Sequence, residues 1–313
     1  MKKIFFVVLS FFIIAQTYAS AQKMPWQNTA QQKGAPQALP AGVGTADMNG
    51  LASAVRSGDI NIVKQIVTTR NVNMPDENGV FPLYVAAKEG SEIMVKLILE
   101  RGADINYTAP RKKLTALCVA CIVQNPFTIE ALVKHKADPN KCPALSYLVS
   151  GKMDVAEPVE LLIRNGAKVN AVGYMHATPL MLAAAFGKTK SVKVLLENKA
   201  DPNFVATNLT PLSAAFTGIG RPETLEIIKL LTAHGATLSA ANAARKAGDP
   251  LWQDKFKASD FPEDKRANAE KVIEYINELA TGKPHKAVAS ATAVPTKAAV
   301  KKAVPSPKAA AKK

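Results

Sequence analysis

Three cysteines are the residues in this chain best placed to do chemistry. Cys118-Val119-Ala120-Cys121 is a C-x-x-C motif, and Cys142 follows 21 residues after Cys121. A C-x-x-C pair at a helix N-terminus has a lowered thiol pKa and can exchange disulfides in an oxidising compartment. Three thiols cannot all pair within one chain. Cys142 can reach either Cys118 or Cys121, and the register gives a competing reading in which all three are buried free thiols. The competing reading is favoured, because Cys121 falls where other segments carry Ala87 and Ala184, and Cys118 aligns with Tyr84, Met181 and Ser213.

The other candidates for chemistry are weaker. His135, His176, His234 and His285 are scattered, with none of the spacing a metal site requires, so no metal or cofactor is expected. Gly42-Val43-Gly44 is a lone G-x-G with no strand before it. Asn106 and Asn208 match the glycosylation acceptor pattern, which matters only in a eukaryotic secreted chain. No catalytic constellation emerges, and the chain reads as non-enzymatic.

The elements that would carry such residues repeat. FPLYVAAKEG (81–90), LTALCVACIV (114–123), CPALSYLVSG (142–151), ATPLMLAAAFG (177–187) and LTPLSAAFTG (209–218) align on Leu83, Leu117, Leu145, Leu180 and Leu212, spaced 34, 28, 35 and 32 apart. A second ladder keeps step: GADIN (102–106), KADPN (136–140), GAKVN (166–170), KADPN (199–203) and GATLS (235–239). Two motifs recurring together near period 33 mark a stacked repeat array.

Each unit has its own logic. Thr178 caps a helix, Pro179 suits the first helical position and Leu180 starts the buried face. After Gly187 a second helix sets Val192, Leu195 and Leu196 on one apolar stripe. Neither helix can bury its stripe alone, so units must stack.

The pattern resembles the ankyrin repeat family, whose unit carries a T-P-L-H-x-A turn and helix, then a second helix ending in G-A-D-x-N. The resemblance implies an all-α solenoid of stacked helix pairs with short projecting turns, covering 47–280: an N-terminal cap at 47–75, five repeats over about 76–236 and a C-terminal cap at 237–280. The junction from Asp138 to Pro143 is truncated. The fifth unit carries an insertion at Gly218-Ile219-Gly220-Arg221-Pro222, and the last cap contains a loop with Trp252, Phe256 and Phe261.

The resemblance also implies function. Members bind protein partners with the turn tips and the exposed side of the first helices, which line a concave face. Carried onto this chain, the positions are Glu77, Asn78, Lys88, Glu89, Arg111, Lys112, Lys113, Tyr174, Met175 and Phe186. Tyr174, Met175 and Phe186 are expected to converge on one surface. Changing Tyr174 and Met175 to Ser is expected to leave the melting temperature intact while weakening partner capture at least tenfold.

The termini read differently. Lys2 and Lys3, an apolar run at residues 4–15 and Ala19-Ser20-Ala21 predict a signal peptide cleaved after Ala21. The apolar run is short of the roughly twenty residues a membrane span needs, so the mature chain is expected not to span a membrane. A periplasmic or secreted location follows. Residues 22–46 read as a flexible linker and 281–313 as a disordered Lys/Ala/Pro-rich tail. Of the net charge of +15, eight lysines lie in residues 283–313 and two in the leader, so the folded part is only mildly basic. The tail is expected to contact polyanions weakly, without specific nucleic-acid recognition. The reading is an exported protein-interaction module whose partner's identity is open. The alternatives are an exported effector binding a host protein through the same face, and thiol-redox activity at Cys118 and Cys121.

Overall fold

A computed structural model describes residues 48–76, 79–108 and 114–282. The expected leader (1–21), the expected linker (22–46) and the segment from 283 onward lie outside the described residues. The chain folds into successive helix pairs: α1 (Met48–Ser57) and α2 (Ile60–Ile66); α3 (Pro82–Glu89) and α4 (Glu92–Glu100); α5 (Ala116–Val123) and α6 (Pro126–Lys134); α7 (Ala144–Val149) and α8 (Ala156–Arg164); α9 (Pro179–Ala185) and α10 (Thr189–Glu197); α11 (Pro211–Ala215) and α12 (Thr224–Ala233); α13 (Leu238–Ala244) and α14 (Glu263–Thr281). The described residues form no strand, only an isolated antiparallel bridge between Ala206 and Leu209. The terminal helix pairs fall in the segments expected to form caps. The last helix runs through Thr281 and ends at Gly282, whose φ of 65° only glycine adopts freely, so these two residues belong to the cap rather than to the tail.

The first helices pack in one row, α1, α3, α5, α7, α9, α11 and α13, and the second helices from α4 to α14 in another. The aligned leucines lie between the rows. Leu83, Leu117, Leu145, Leu180 and Leu212 are all between 0% and 4% exposed, which fixes the register. The helix starts follow from local chemistry. The Thr115, Thr178 and Thr210 hydroxyls accept from the N–H of Cys118, Met181 and Ser213, and Pro82, Pro179 and Pro211 occupy first-turn positions whose N–H has no intrahelical partner. In the third unit Pro143 stands at the cap position without a side-chain bond, which is the physical form of its truncated turn.

The second ladder proves to be a clamp between units. Asn73 donates from Nδ2 to the Gly102 carbonyl and accepts at Oδ1 from the Asp104 N–H. Asn140 does the same with Gly166 and Lys168, Asn170 with Lys199 and Asp201, and Asn203 with Gly235 and Thr237. The Asn106 Oδ1 accepts from the Asp138 N–H. The first residue of each clamped turn is left-handed, at Gly102, Lys136, Gly166, Lys199 and Gly235, which is why glycine recurs there and the two lysines carry a conformational cost. The ladder stops where Ser239 replaces Asn, and Thr237 instead caps α13. Asn203→Ala removes both bonds of the last clamp. We expect a loss of about 1–2 kcal/mol and faster amide exchange in α13 than in α9.

The helix-to-helix loops carry a second set of ties. Asn125 donates to the Gly90 carbonyl, Gln124 to the Leu148 and Met153 carbonyls, and Arg221 to the Ala185 carbonyl. Lys188 begins α10 without a side-chain cap of its own, and Asp154 of the preceding unit supplies one, accepting from the Lys190 and Ser191 N–H groups and from the Ser191 hydroxyl.

Candidate functional site

Cys118 and Cys142 form a disulfide, so the favoured expectation of three free thiols does not hold. The cause is the truncated junction, which seats Cys142 beside the turn of the preceding unit, its Sγ 3.4 Å from the Thr115 hydroxyl. Cys121 remains free and buried, and burial pushes its thiol well above the ordinary range. The C-x-x-C motif therefore does not act as a dithiol pair: one sulfur is bonded elsewhere and the other is protonated and inaccessible. The histidines are structural where described. His135 and His234 donate from Nδ1 to the Ala131 and Leu230 carbonyls at the ends of second helices, and His176 is exposed. Among the described residues no cluster of His, Cys, Asp and Glu could hold a metal ion.

The expected binding positions divide. Glu77, Asn78, Arg111, Lys112 and Lys113 lie outside the described residues. Lys88 and Glu89 close α3, with Glu89 exposed and the two side chains 3.9 Å apart. Tyr174 and Met175 are not free turn tips. They sit in a tight helical turn, Met175 at φ 57°, half-buried against the core, and the Tyr174 ring lies 5.1 Å from that of Tyr147. Their replacement is therefore not expected to spare stability. Tyr174→Ser with Met175→Ser should cost about 1–3 kcal/mol from lost apolar burial, read as a lower melting temperature.

Phe186 does not join them either. It ends α9 at the opposite end from Tyr174, roughly 10 Å away along the helix axis. There it lines a polar cleft of about 500 Å³ with Lys152, Asp154, Lys188, Arg221 and Glu223. Within that cleft the Lys188 ammonium donates to the Lys152 carbonyl, and burial holds its pKa below the usual lysine range.

Two surface features escaped the sequence reading. Ile93 and Phe127 are 60% and 63% exposed at equivalent positions of α4 and α6. At the last junction, the loop between α13 and α14 folds back on the fifth unit and encloses an apolar recess of about 280 Å³. The aromatic residues singled out in that loop gave a signal, but their partner Phe216 in the fifth unit did not.

Stacked helix pairs tied edge to edge define a repeat solenoid. The family model described as ankyrin repeats, three copies, matches residues 51–142 and 145–242, more than half of the chain. The chain belongs to the ankyrin repeat family.

Among solved structures it is similar to an ankyrin repeat domain from Acinetobacter baumannii, at 27% identity and TM-score 0.52, covering 60% of this chain and 98% of that one. It is also similar to the human ASB11 ankyrin repeat domain, at 26% identity and TM-score 0.53, covering 66% and 95%. Among curated proteins it is similar to human ankyrin repeat and SOCS box protein 6, 30% identical over 188 residues that cover 51% of this chain and 44% of that protein. The Drosophila melanogaster transient receptor potential channel pyrexia is 31% identical over 133 residues, 41% of this chain and 14% of the channel. The chain thus spans less than half the length of these two curated relatives. Ankyrin repeats are a protein–protein interaction module, and no described helix is long and apolar enough to cross a membrane.

Proposed function

We propose that this chain is an exported interaction scaffold that binds one protein partner on the face formed by its projecting turns and first helices, and that it is not an enzyme. The observation that carries the reading is the division of labour in the stack. Packing consumes the leucine rows and the asparagine clamps, while side chains such as Glu89, Thr207 and Asn208 at the ends of first helices and on turns remain exposed.

The Cys118–Cys142 disulfide supports an oxidising compartment, because such bonds persist outside the cytosol. Together with the leader at residues 1–21, it favours a periplasmic or secreted location. Binding to a host protein after release from the cell uses the same face. Recovery of the mature chain in culture supernatant free of periplasmic markers would favour that destination.

Affinity capture of the full mature chain after cross-linking in cells tests the reading. A single stoichiometric protein partner, absent when the chain is heat-unfolded before mixing, is the expected result. Recovery of no discrete partner would contradict it.

The eight lysines of residues 283–313 are proposed to hold anionic envelope polymers loosely. A chain ending at Gly282 should lose most low-salt binding to envelope fragments. Equal binding by the two chains would remove this role.

A further inference from the structure

The recess between the fifth unit and the C-terminal cap has a built character. Its floor is a run of rings: Phe216 to Trp252 at 5.3 Å between centroids, Trp252 to Phe256 at 6.1 Å and Phe256 to Phe261 at 6.5 Å. Trp252 is fixed in place, its backbone N–H donating to the Asn242 Oδ1 and its Nε1 to the Ala241 carbonyl, so the floor is preformed. The walls are Thr207, Asn208 and Leu209 of the fifth turn and Thr217 and Ile219 beyond α11.

The rim is cationic. Arg245, Lys246 and Lys255 line it against one acid, Asp249. The Lys255 ammonium stands 4.2 Å from the Trp252 ring centroid and 5.9 Å from that of Phe256, with no carboxylate at ion-pair distance among the described residues. The Arg245 Nη1 donates to the Asp249 carbonyl, while its buried Nε has no hydrogen-bond partner. A partly desolvated cation over an aromatic face, with Arg245 and Lys246 lining the same recess, gains from an incoming carboxylate.

We propose that this recess is a docking site for a short acidic segment of a protein partner, which inserts one bulky apolar side chain between Phe216, Trp252 and Phe256 while its carboxylates meet Arg245, Lys246 and Lys255. The proposal rests on the reading of the chain as an interaction module and names the chemistry that one part of its surface selects. Volume decides the size of the occupant. About 280 Å³ lies just under the roughly 300–1,000 Å³ of small-molecule and cofactor pockets and suits a single large side chain. Charge decides its sign. The chain's own residues 283–313 bring eight lysines and no acid, so they meet like charge at the rim and are excluded as the occupant.

Trp252 is its own reporter. In the full mature chain carrying Trp26→Phe it is the sole tryptophan, since the sequence holds only two. A displayed library of random nonapeptides panned on this protein should enrich a bulky apolar residue flanked by at least two acids. The synthetic consensus peptide should change Trp252 emission saturably. Lys255→Glu should weaken that peptide at least tenfold. Thr217→Phe, which fills the recess without removing a floor residue, should do the same, each at an unchanged melting temperature. Replacing the peptide's apolar residue by Ala should also cost at least tenfold.

Enrichment without acids, equal binding of a lysine-for-acid peptide, or binding indifferent to both Lys255→Glu and Thr217→Phe overturns the proposal. Phenylacetate binding as tightly as the peptide would make the recess a small-molecule site and overturn it too. If cross-linked capture yields a partner equally from the Lys255→Glu chain, the docking site fails while the module reading stands. If the peptide binds as described but no partner is ever captured, the reverse holds.

Discussion

Leu180→Ala is expected to lower stability by about 2–5 kcal/mol, the range for a leucine truncated in a packed core where the surroundings relax only in part. Leu180 is 0% exposed at the start of α9, between the rows of first and second helices. Each unit buries its stripe against its neighbours, so the loss should spread to units three and five before it reaches the caps. Thermal denaturation gives the magnitude, and hydrogen exchange resolved by segment gives the spread. A cavity that left α7 and α11 as protected as before would mean that neighbouring units do not support each other.

Removal of the Cys118–Cys142 disulfide is the second large effect. The bond joins residues 24 apart and ties the third unit to the second where the turn is shortest. Loops of this size are constrained by about 3 kcal/mol when closed, so Cys142→Ala should cost about 2–4 kcal/mol. The melting temperature of the native chain should fall on reduction, and that of Cys142→Ala should not respond to reductant. Because Thr115 also loses its Sγ contact, the second unit's turn should loosen with the third. Equal melting of oxidised and reduced native chain would show that the junction is held by packing alone.

The array was legible in the sequence because its period is enforced residue by residue. Each Thr-Pro-Leu start satisfies a helix terminus locally, and each Asn of the ladder reaches the equivalent turn one unit on, so local chemistry carries the register. What failed was long-range. Cys118 sits in a buried register shared with Met181 and Ser213, and nothing in its neighbourhood reveals that Cys142 meets it across a shortened turn. Tyr174 and Met175 fall in a junction long enough to project. The left-handed backbone at Met175 and His176 instead folds that turn back, and Tyr147 receives the ring. Phe186 aligned with exposed helix ends, yet its position at the far end of α9 separates it from the turns. The C-terminal recess needed Phe216 and Trp252 side by side, 36 residues apart in the chain, a pairing that only the folded cap creates.

The central claim is that one protein partner lies against the turns and first helices. Photo-cross-linking inside cells tests this, with a benzoylphenylalanine placed singly at Lys88, Glu89 or Thr207 on that face, or at Lys96, Lys134 or Lys193 on second helices. The expected result is a discrete adduct of one added protein from the first three positions and none from the last three. Adducts confined to the second-helix positions, or absent from all six, would contradict it.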